Sequence, residues 1–490
     1  MANSFDQLNE YKKMVLQEVS SRAYNGTLKK EDVDDIAYKL IPYQRPKVRC
    51  CVYKEREVIR ERTYLAMGLT PLGKVPSEGQ FVFVLEAACD DCNIHKVRIT
   101  DNCRKCLFRP CTKACHFSAI YEGDSKMHID YAKCKACGMC AKACPYGSIL
   151  LSDRPCHKAC PTGALKYYEN QIAEICEDDC LNCGRCSASC PFGAISERSS
   201  LVPVIQEIIK GEKLIALVAP AIVGQWGNAS LKQVYEALTK LGFAEILEVA
   251  KGADITSQKE AEEALESKKS GNKITTSCCP AFVTFLEKKF PEVYLEHTSD
   301  VLSPMAITAR MARKLYPGYK TVFIGPCVAK KAERLLKKNK DNLDYVLTFE
   351  EIDAMMKAKG IDPSKLEGLV EVPNGSSSGR NFCNTGGVAA SLNNYLAEIN
   401  SPERLSLKVA SGSEQCVQYV KDLSLGKQTE DVLEGMMCEG GCMAGVDSQA
   451  VNLYQAKARA EKENINSKET KIAAADQECH VDCYFDKNDK

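Results

Sequence analysis

The sequence predicts an α/β domain of mainly parallel sheets flanked by helices, preceded by a cysteine-dense α+β region and a small N-terminal helical segment. Three observations predict it. The 28 cysteines of the 490-residue chain are unevenly placed: two before residue 89, seventeen between Cys89 and Cys190, none from Pro191 to Ser277, and nine after that. Beyond Ser199, short apolar runs alternate with helical periods, the rhythm of parallel strands covered by helices. Before residue 86 the pattern is helical and charged. The boundaries expected on this basis are 1–85, 86–200, 201–454 and 455–490.

Each element has its own signal. Leu8 to Tyr24 and Lys29 to Leu40 carry helical periods, and the Lys/Arg/Glu-rich stretch from Lys47 to Arg62 reads as the solvated face of a helical cap or docking module. Strands are expected at Leu214 to Ala219, Ile246 to Val249, Ile274 to Thr276, Thr321 to Ile324 and Tyr345 to Leu347. Helices are expected at Leu231 to Leu241, Gln258 to Lys268, Ser303 to Leu315, Val328 to Lys338 and Glu350 to Lys359. Cys278, Cys279 and Cys327 then lie just past strand carboxyl ends, where open α/β sheets place ligands. Residues from about 455 read as a helix and a mobile tail.

Charge and compartment narrow the function. Lys+Arg and Asp+Glu are both 65, so the formal net charge is zero and nothing points to a nucleic-acid or anionic-membrane partner. Met1 to Tyr24 has no continuous apolar run and does not read as a signal peptide. Leu214 to Trp226, the most apolar stretch, is too short to cross a bilayer and is interrupted by Pro220 and Gly224. In a reducing cytoplasm, clustered cysteines are metal ligands or reactive thiols more often than disulfides.

Cys134, Cys137, Cys140, Cys144 and Pro145, and again Cys180, Cys183, Cys186, Cys190 and Pro191, are spaced C-x2-C-x2-C-x3-C-P, the bacterial ferredoxin run. In that run three thiolates hold one corner of a [4Fe-4S] cubane and the fourth reaches a second cluster. A zinc site needs only two pairs and no proline. Cys103, Cys106, Cys111 and Cys115 keep the order with a longer middle gap, and Cys156, Cys160 and Pro161 keep the back half. With Cys89 and Cys92 as the missing front half, sixteen cysteines form four nested sets: Cys103, Cys106, Cys111 with Cys144; Cys134, Cys137, Cys140 with Cys115; Cys180, Cys183, Cys186 with Cys160; and Cys89, Cys92, Cys156 with Cys190. The nesting resembles the electron-transfer subunits of formate dehydrogenases. The alternative is two clusters with a zinc-bound or free remainder, so residues 86–200 are expected to be ferredoxin-like with two to four [4Fe-4S] clusters. Such a row moves single electrons between a soluble carrier and a buried site.

Three later segments supply further thiols: Thr276-Ser277-Cys278-Cys279-Pro280, then Pro326-Cys327-Val328-Ala329-Lys330-Lys331-Ala332-Glu333, then Met436-Met437-Cys438-Glu439-Gly440-Gly441-Cys442. In order and spacing they resemble the signature motifs of the [FeFe]-hydrogenases, TSCCP, PCxxKxxE and MxCxxGC. The resemblance covers about Lys213 to Val446, and the upstream cluster array fits the same family. It implies reversible reduction of protons to H2, with electrons from a ferredoxin or similar soluble carrier, at a [4Fe-4S] cluster bridged to a diiron unit with carbonyl, cyanide and a bridging dithiolate. That unit requires maturation proteins.

Carried over by this resemblance, Cys279, Cys327, Cys438 and Cys442 are the cubane ligands, with Cys442 the bridge to diiron. Cys278 exchanges the proton; Lys330 points its ammonium at an iron-bound cyanide. Lys331 reads as a surface helix lysine. Met436 packs against the diiron unit, Ala219, Pro220 and Ala221 wrap it, and Pro326 lies beside it. Glu333 belongs to the second motif. Glu260 and Glu263 match the relay glutamates, with Ser299 or Thr298 as the hydroxyl between them, although Glu260, Glu262, Glu263 and Glu266 also read as a solvated face.

The resemblance departs at several places around the ligands. Ala281-Phe282 replaces Gly-Trp, Gly325 replaces Met, Gly445 to Gln449 replaces a Gly-Gly-Gly-Gln-Pro run, Met305 replaces Gln, and Ile222-Val223-Gly224 lacks an arginine. Together these look like the group B branch typified by clostridial hydrogenase III. Rival readings are a regulatory H2 sensor and a non-catalytic iron-sulfur assembly or electron-carrier protein. Cys50, Cys51, Cys176, Cys383, Cys416, Cys479 and Cys483 have no assigned role. Cys479 and Cys483 could bind a metal with Cys50 and Cys51, or lie in a disordered tail.

Overall fold

The computed structural model describes residues 4–487 apart from 90, 91, 93, 94, 168–171, 372–374, 451, 466–470, 478 and 479. Two parallel sheets organise the second half. The larger has the order Phe243–Glu248, Leu214–Val218, Lys320–Gly325, Tyr345–Thr348, with Leu217 opposite both Leu247 and Phe323. The smaller has the order Ile274–Thr275, Val432–Met436, Leu407–Ser411. Leu214–Val218 is buried at all five positions, which is why it reads as an unbroken apolar run.

Local chemistry fixes the helices around the sheets. Leu231–Leu241 starts on a capping box between Ser230 and Gln233 and stops at Gly242, whose φ is 119°. Pro304–Leu315 starts at Ser303, whose hydroxyl accepts the Ala306 N–H. Two expected boundaries move. The strand expected to include Val249 ends at Glu248, and the helix expected from Gln258 begins at Val249, giving one 21-residue helix, Val249–Lys269. Gly252 masks this helix in the sequence; a Cβ there would sit 2.3 Å from the Thr308 hydroxyl and 2.4 Å from the Pro304 carbonyl, so the glycine lets Val249–Lys269 cross Pro304–Leu315 closely. The helix expected over Val328 to Lys338 is split into Ala329–Glu333 and Lys337–Lys340 by the extended backbone of Leu336.

The N-terminal helices Ser4–Tyr24, Val33–Leu40 and Val52–Ala66 are not a solvated cap. Val15, Val19, Ile36 and Ile59 share one core with the central strand Leu214–Val218. The charged stretch is buried at Glu55, Arg56, Glu61 and Arg62 because backbone groups neutralise it. Glu55 accepts the Lys47 and Arg49 N–H groups, Arg56 donates to the Ile41 and Tyr43 carbonyls, and Arg62 donates to that of Gly193.

The described residues of the tail include several that are packed against the rest of the chain. After the helix Leu453–Ile465, Ile472 and Cys483 are buried, Tyr484 bridges to Val301, and the Phe485 N–H donates to the Asp300 carbonyl. Cys479 lies outside the described residues. Among the described residues, Cys50, Cys51 and Cys483 join no group of three close metal-ligating atoms.

The cysteine-dense region is built from short antiparallel pairs. Val82–Val84 pairs with Ile195–Glu197, and Val97–Ile99 with Ile149–Leu151 inside it; Ile120–Glu122 pairs with Met127–Ile129, and Leu165–Tyr167 with Ala173–Ile175.

Candidate metal centre

The two sheets deliver their carboxyl ends to one cavity. Ala219, Pro220 and Ala221 follow the strand ending at Val218; Cys278 and Cys279 follow Thr275; Pro326, Cys327 and Lys330 follow Gly325; Cys438 and Cys442 follow Met436. All of these residues line the cavity, whose space open to the centre of a water molecule is about 100 Å³. This is the strand-end position expected for a ligand in an α/β sheet.

Burial pushes the Cys278 thiol well up, with Glu260 and Cys279 beside it adding to the shift. Burial, then Cys279, raises Cys327 to about 11, and burial followed by neighbouring thiols raises Cys438 and Cys442. Cys442 has accessible surface yet is enclosed by protein, because that surface faces the cavity. Thiols crowded this way ionise readily only when a cationic centre joins them.

The arrangement does not suit a single zinc ion. Around one tetrahedral zinc, sulfurs held at about 2.3 Å are about 3.8 Å apart. Among the described residues, the one group of three potential ligand atoms within 4.8 Å of one another is carboxylate, from Glu197, Glu350 and Asp447. No three described cysteine sulfurs lie that close together, so they do not form the tight set one zinc requires. Glycines give the bulky group room and hold its loops: at Gly441, φ is 84° and a Cβ would sit 2.6 Å from the Cys383 carbonyl.

Lys330 reaches this cavity as an ion-paired ammonium. Its Nζ is 2.7 Å from Glu333 Oε2 and donates to the Ser303 hydroxyl at 3.2 Å and the Cys278 carbonyl at 3.4 Å. Burial alone would lower its pKa, but Glu333 first, then Cys327 and Cys278, hold it above the ordinary lysine value. Lys331 is not a surface residue: it is 1% exposed, pairs with Glu351 at 2.8 Å and donates to the Arg198 carbonyl. Met436 packs with Ala253, Phe382 and Cys278.

The four glutamates divide: Glu262 and Glu266 are exposed, as a solvated face requires, whereas Glu263 is half-buried and Glu260 buried. Glu260 is 2% exposed; its Oε1 accepts the Ser277 N–H and hydroxyl at 2.8 and 2.9 Å, and its Oε2 has no protein partner. Burial raises it to about 7. Glu263 accepts the Ser299 hydroxyl at 2.5 Å and the Asp300 N–H at 3.0 Å and is raised by burial. Of the two candidate hydroxyls, Ser299 is the one bonded to Glu263; Thr298 lies 3.4 Å from the Thr275 hydroxyl instead.

Sequence departures around the cavity compensate one another. A Cβ at Gly325 would meet the Phe323 ring at 2.6 Å and Ala219 at 3.1 Å, so the ring fills the space of a longer side chain. A Cβ at Gly435 would strike Phe282 at 2.4 Å, and Met305 lines the cavity fully buried.

The sixteen upstream cysteines come together as follows. Cys103, Cys106, Cys111 and Cys144 line one small cavity, and Cys115, Cys134, Cys137 and Cys140 another. Burial, then Cys190, Cys92 and Cys89, raises Cys156 to about 11; burial, then Cys183, Cys180 and Cys160, raises Cys186. Lys105, Ala136 and Asn182, each two residues after the first cysteine of a run, have φ of 47°, 51° and 50°. This rare conformation lets the Ala136 and Asn182 N–H groups donate to the Cys134 and Cys180 sulfurs at 3.4 Å. Its recurrence at Lys105 gives the irregular run the same local geometry.

Three features were missed in the sequence. Cys183 itself lines the cavity between the two sheets, and Arg185 donates to the Met437 carbonyl at 2.7 Å, joining the last ferredoxin run to the third motif. Cys383 is cavity wall and Cys416 buried core. Lys12, from the first helix, bridges Glu197, Glu350 and Asp447, the last at 3.3 Å; burial would lower the lysine's pKa, but the three carboxylates hold it well up. The ammonium occupies the centre a cation would take, so this trio is an ionic tie between chain regions. No local signal marks residues so distant in sequence.

Residues 212–446 match the family model described as iron only hydrogenase large subunit, C-terminal domain; residues 127–150 match a 4Fe-4S binding domain and 150–201 the LdpA Fe-S cluster-binding domain. The chain is 31% identical over 379 residues to the periplasmic [Fe] hydrogenase large subunit of Nitratidesulfovibrio vulgaris, covering 65% of this chain and 86% of that one. It is 28% identical over 395 residues to iron hydrogenase 1 of Clostridium pasteurianum, covering 68% of this chain and 66% of that protein's length. A solved apo [FeFe]-hydrogenase from Chlamydomonas reinhardtii aligns with TM-score 0.44 and 22% identity, over 55% of this chain and 89% of that one. Among the described residues no helix is long and apolar enough to cross a membrane.

Proposed function

This chain belongs to the iron-only hydrogenase family, and on that premise we propose that it catalyses the reversible reduction of protons to H2. The observation that carries the reading is the convergence of Cys279, Cys327, Cys438 and Cys442 with a fifth thiol, Cys278, and one ion-paired lysine in a single apolar cavity. We assign the four cysteines as the residues that would hold a [4Fe-4S] cluster, and Cys442 as the one that would also hold a diiron unit carrying carbonyl, cyanide and dithiolate. When bound, that group supplies the electron-rich metal at which electrons and protons combine.

The chain's own residues do the rest. Ala219, Pro220, Met305 and Phe323 keep water from the cavity. Lys330, its charge kept by Glu333, offers an ammonium to an anionic ligand of the cofactor. Cys278 passes a proton between the cavity and the protein, a task for a thiol that donates and accepts without ionising freely. Glu260, poised near neutrality, then Ser299 and Glu263 carry it toward solvent. Residues 86–200 form the accessory-cluster domain, 201–454 the catalytic domain, and 1–85 and 455–490 the flanking segments. Electrons arrive from a ferredoxin-like carrier in the cytoplasm, where thiolate ligands persist. Maturation proteins supply the diiron unit. The compensating wall of Phe323, Phe282 and Met305 supports the group B branch, and such surroundings tune potential and basicity.

The test is Cys278→Ala in matured enzyme. Loss of H2 turnover by roughly 100-fold or more with unchanged iron content is expected, the range a positioned proton-transfer group contributes. Unchanged turnover overturns the role of Cys278.

A further inference from the structure

The longer middle gap of the Cys103 run has a structural consequence. Between Cys106 and Cys111 the chain projects a tip on which Leu107 is 97% and Phe108 70% exposed. Arg109, at the tip's far side, has φ 46°, in the sparsely populated left-handed region, and is held there by ion pairing to Glu122. The tip is therefore shaped, and it spends apolar surface on solvent directly over the cavity lined by Cys103, Cys106, Cys111 and Cys144. Isolated exposed apolar side chains are ordinary; two adjacent ones at the apex of a built loop mark an interaction surface.

Cations surround it. Lys113 lies 3.8 Å over the Phe108 ring, on the short helix Pro110–Lys113 that packs against Met139–Ala143, which carries Lys142. Arg104 borders the same cavity. Lys105 and Arg109 share the one carboxylate of Glu122, whereas Arg104, Lys113 and Lys142 have no ion pair among the described residues. In a chain of zero net charge, this is a local positive field around an apolar centre.

We propose that the Leu107–Phe108 tip and its basic rim are the docking surface for an acidic, small electron-carrier protein. The apolar apex supplies the desolvated contact and the rim steers and orients the partner. One electron passes per encounter, oxidising the carrier by one and reducing the centre held by Cys103, Cys106, Cys111 and Cys144 by one; no proton moves. The far end of the cysteine region is Cys183 at the catalytic cavity, so the partner sits opposite the reaction site. This rests on the electron-transfer part of the proposed function.

The test uses cluster-loaded full chain and a reduced acidic two-[4Fe-4S] ferredoxin as probe, read by anisotropy of labelled ferredoxin and by stopped-flow bleaching of the accessory-cluster absorbance. Neither readout needs H2 turnover, so a failure of the catalytic reading leaves this test intact. Lys113→Glu with Lys142→Glu, both exposed, should weaken binding at least 10-fold and flatten its salt dependence. Leu107→Ser with Phe108→Ser should weaken it similarly at every salt concentration. Dithionite should reduce both variants as fast as wild type. Unchanged ferredoxin affinity in both variants overturns the proposal. So does salt-independent binding by wild type, or self-association of the chain that the tip variant abolishes, which would make the surface a contact between copies.

Discussion

Glu260→Gln separates the relay role from the structural role, because the two have opposite signs. Burial raises the Glu260 carboxyl from the usual 4.5 to about 7, against the two hydrogen bonds from Ser277 that lower it. Below the unfolded pKa both states hold the proton and the residue costs nothing. As the pH rises from there, the unfolded chain releases a proton that the folded chain retains, so stability falls until the folded group also ionises near 7. With 1.36 kcal/mol per tenfold change, the cost reaches about 3 kcal/mol by pH 8. Glutamine keeps an oxygen for Ser277 and cannot ionise. The stability gap between Glu260→Gln and wild type should therefore widen by about 2 kcal/mol between roughly pH 5.5 and pH 8, in favour of the variant. Paired urea titrations of the unfolding transition that exposes the Glu260 region measure it, since all other titrating groups cancel. H2 turnover in the same variant should fall by roughly 100-fold. Parallel stability curves, or a variant less stable at pH 8, would refute the assignment of a buried, poised carboxyl.

Two further outcomes follow from the packing. Lys12→Met leaves Glu197, Glu350 and Asp447 buried without their shared cation, and should cost about 3–5 kcal/mol at neutral pH, checked by denaturant midpoint; a loss under about 1 kcal/mol contradicts the ionic tie. Gly441→Ala places a methyl 2.6 Å from the Cys383 carbonyl at φ 84° and ψ −165°, a region open essentially to glycine alone, where backbone strain costs about 1–3 kcal/mol. Iron analysis and electron paramagnetic resonance should show the catalytic cluster lost and the accessory clusters kept.

The chemistry of this protein is legible in sequence because its motifs are local. Cysteine spacing within one loop dictates which thiols face one centre, and a strand end followed by cysteine puts ligand at a sheet edge; both survive without knowing the packing. Helix Leu231–Leu241 was readable to the residue because its cap and its glycine stop are sequence features. What escaped depends on distant chain. The charge run ending at Arg62 is buried only because carbonyls such as that of Gly193 receive it. Lys331 looks like any helix lysine until Glu351 is brought beside it. The start of Val249–Lys269 was hidden by Gly252, a residue that weakens a helix alone and is needed here for the crossing with Pro304–Leu315.

The most direct test of the account is an infrared spectrum of the protein purified without oxygen from a host that makes the hydrogenase maturation enzymes. The account predicts bands of iron-bound carbonyl and cyanide, lost when Cys442 is replaced by Ala. Their absence from wild-type protein, with a known hydrogenase matured in the same host as control, would contradict the assignment of this cavity to a diiron cofactor.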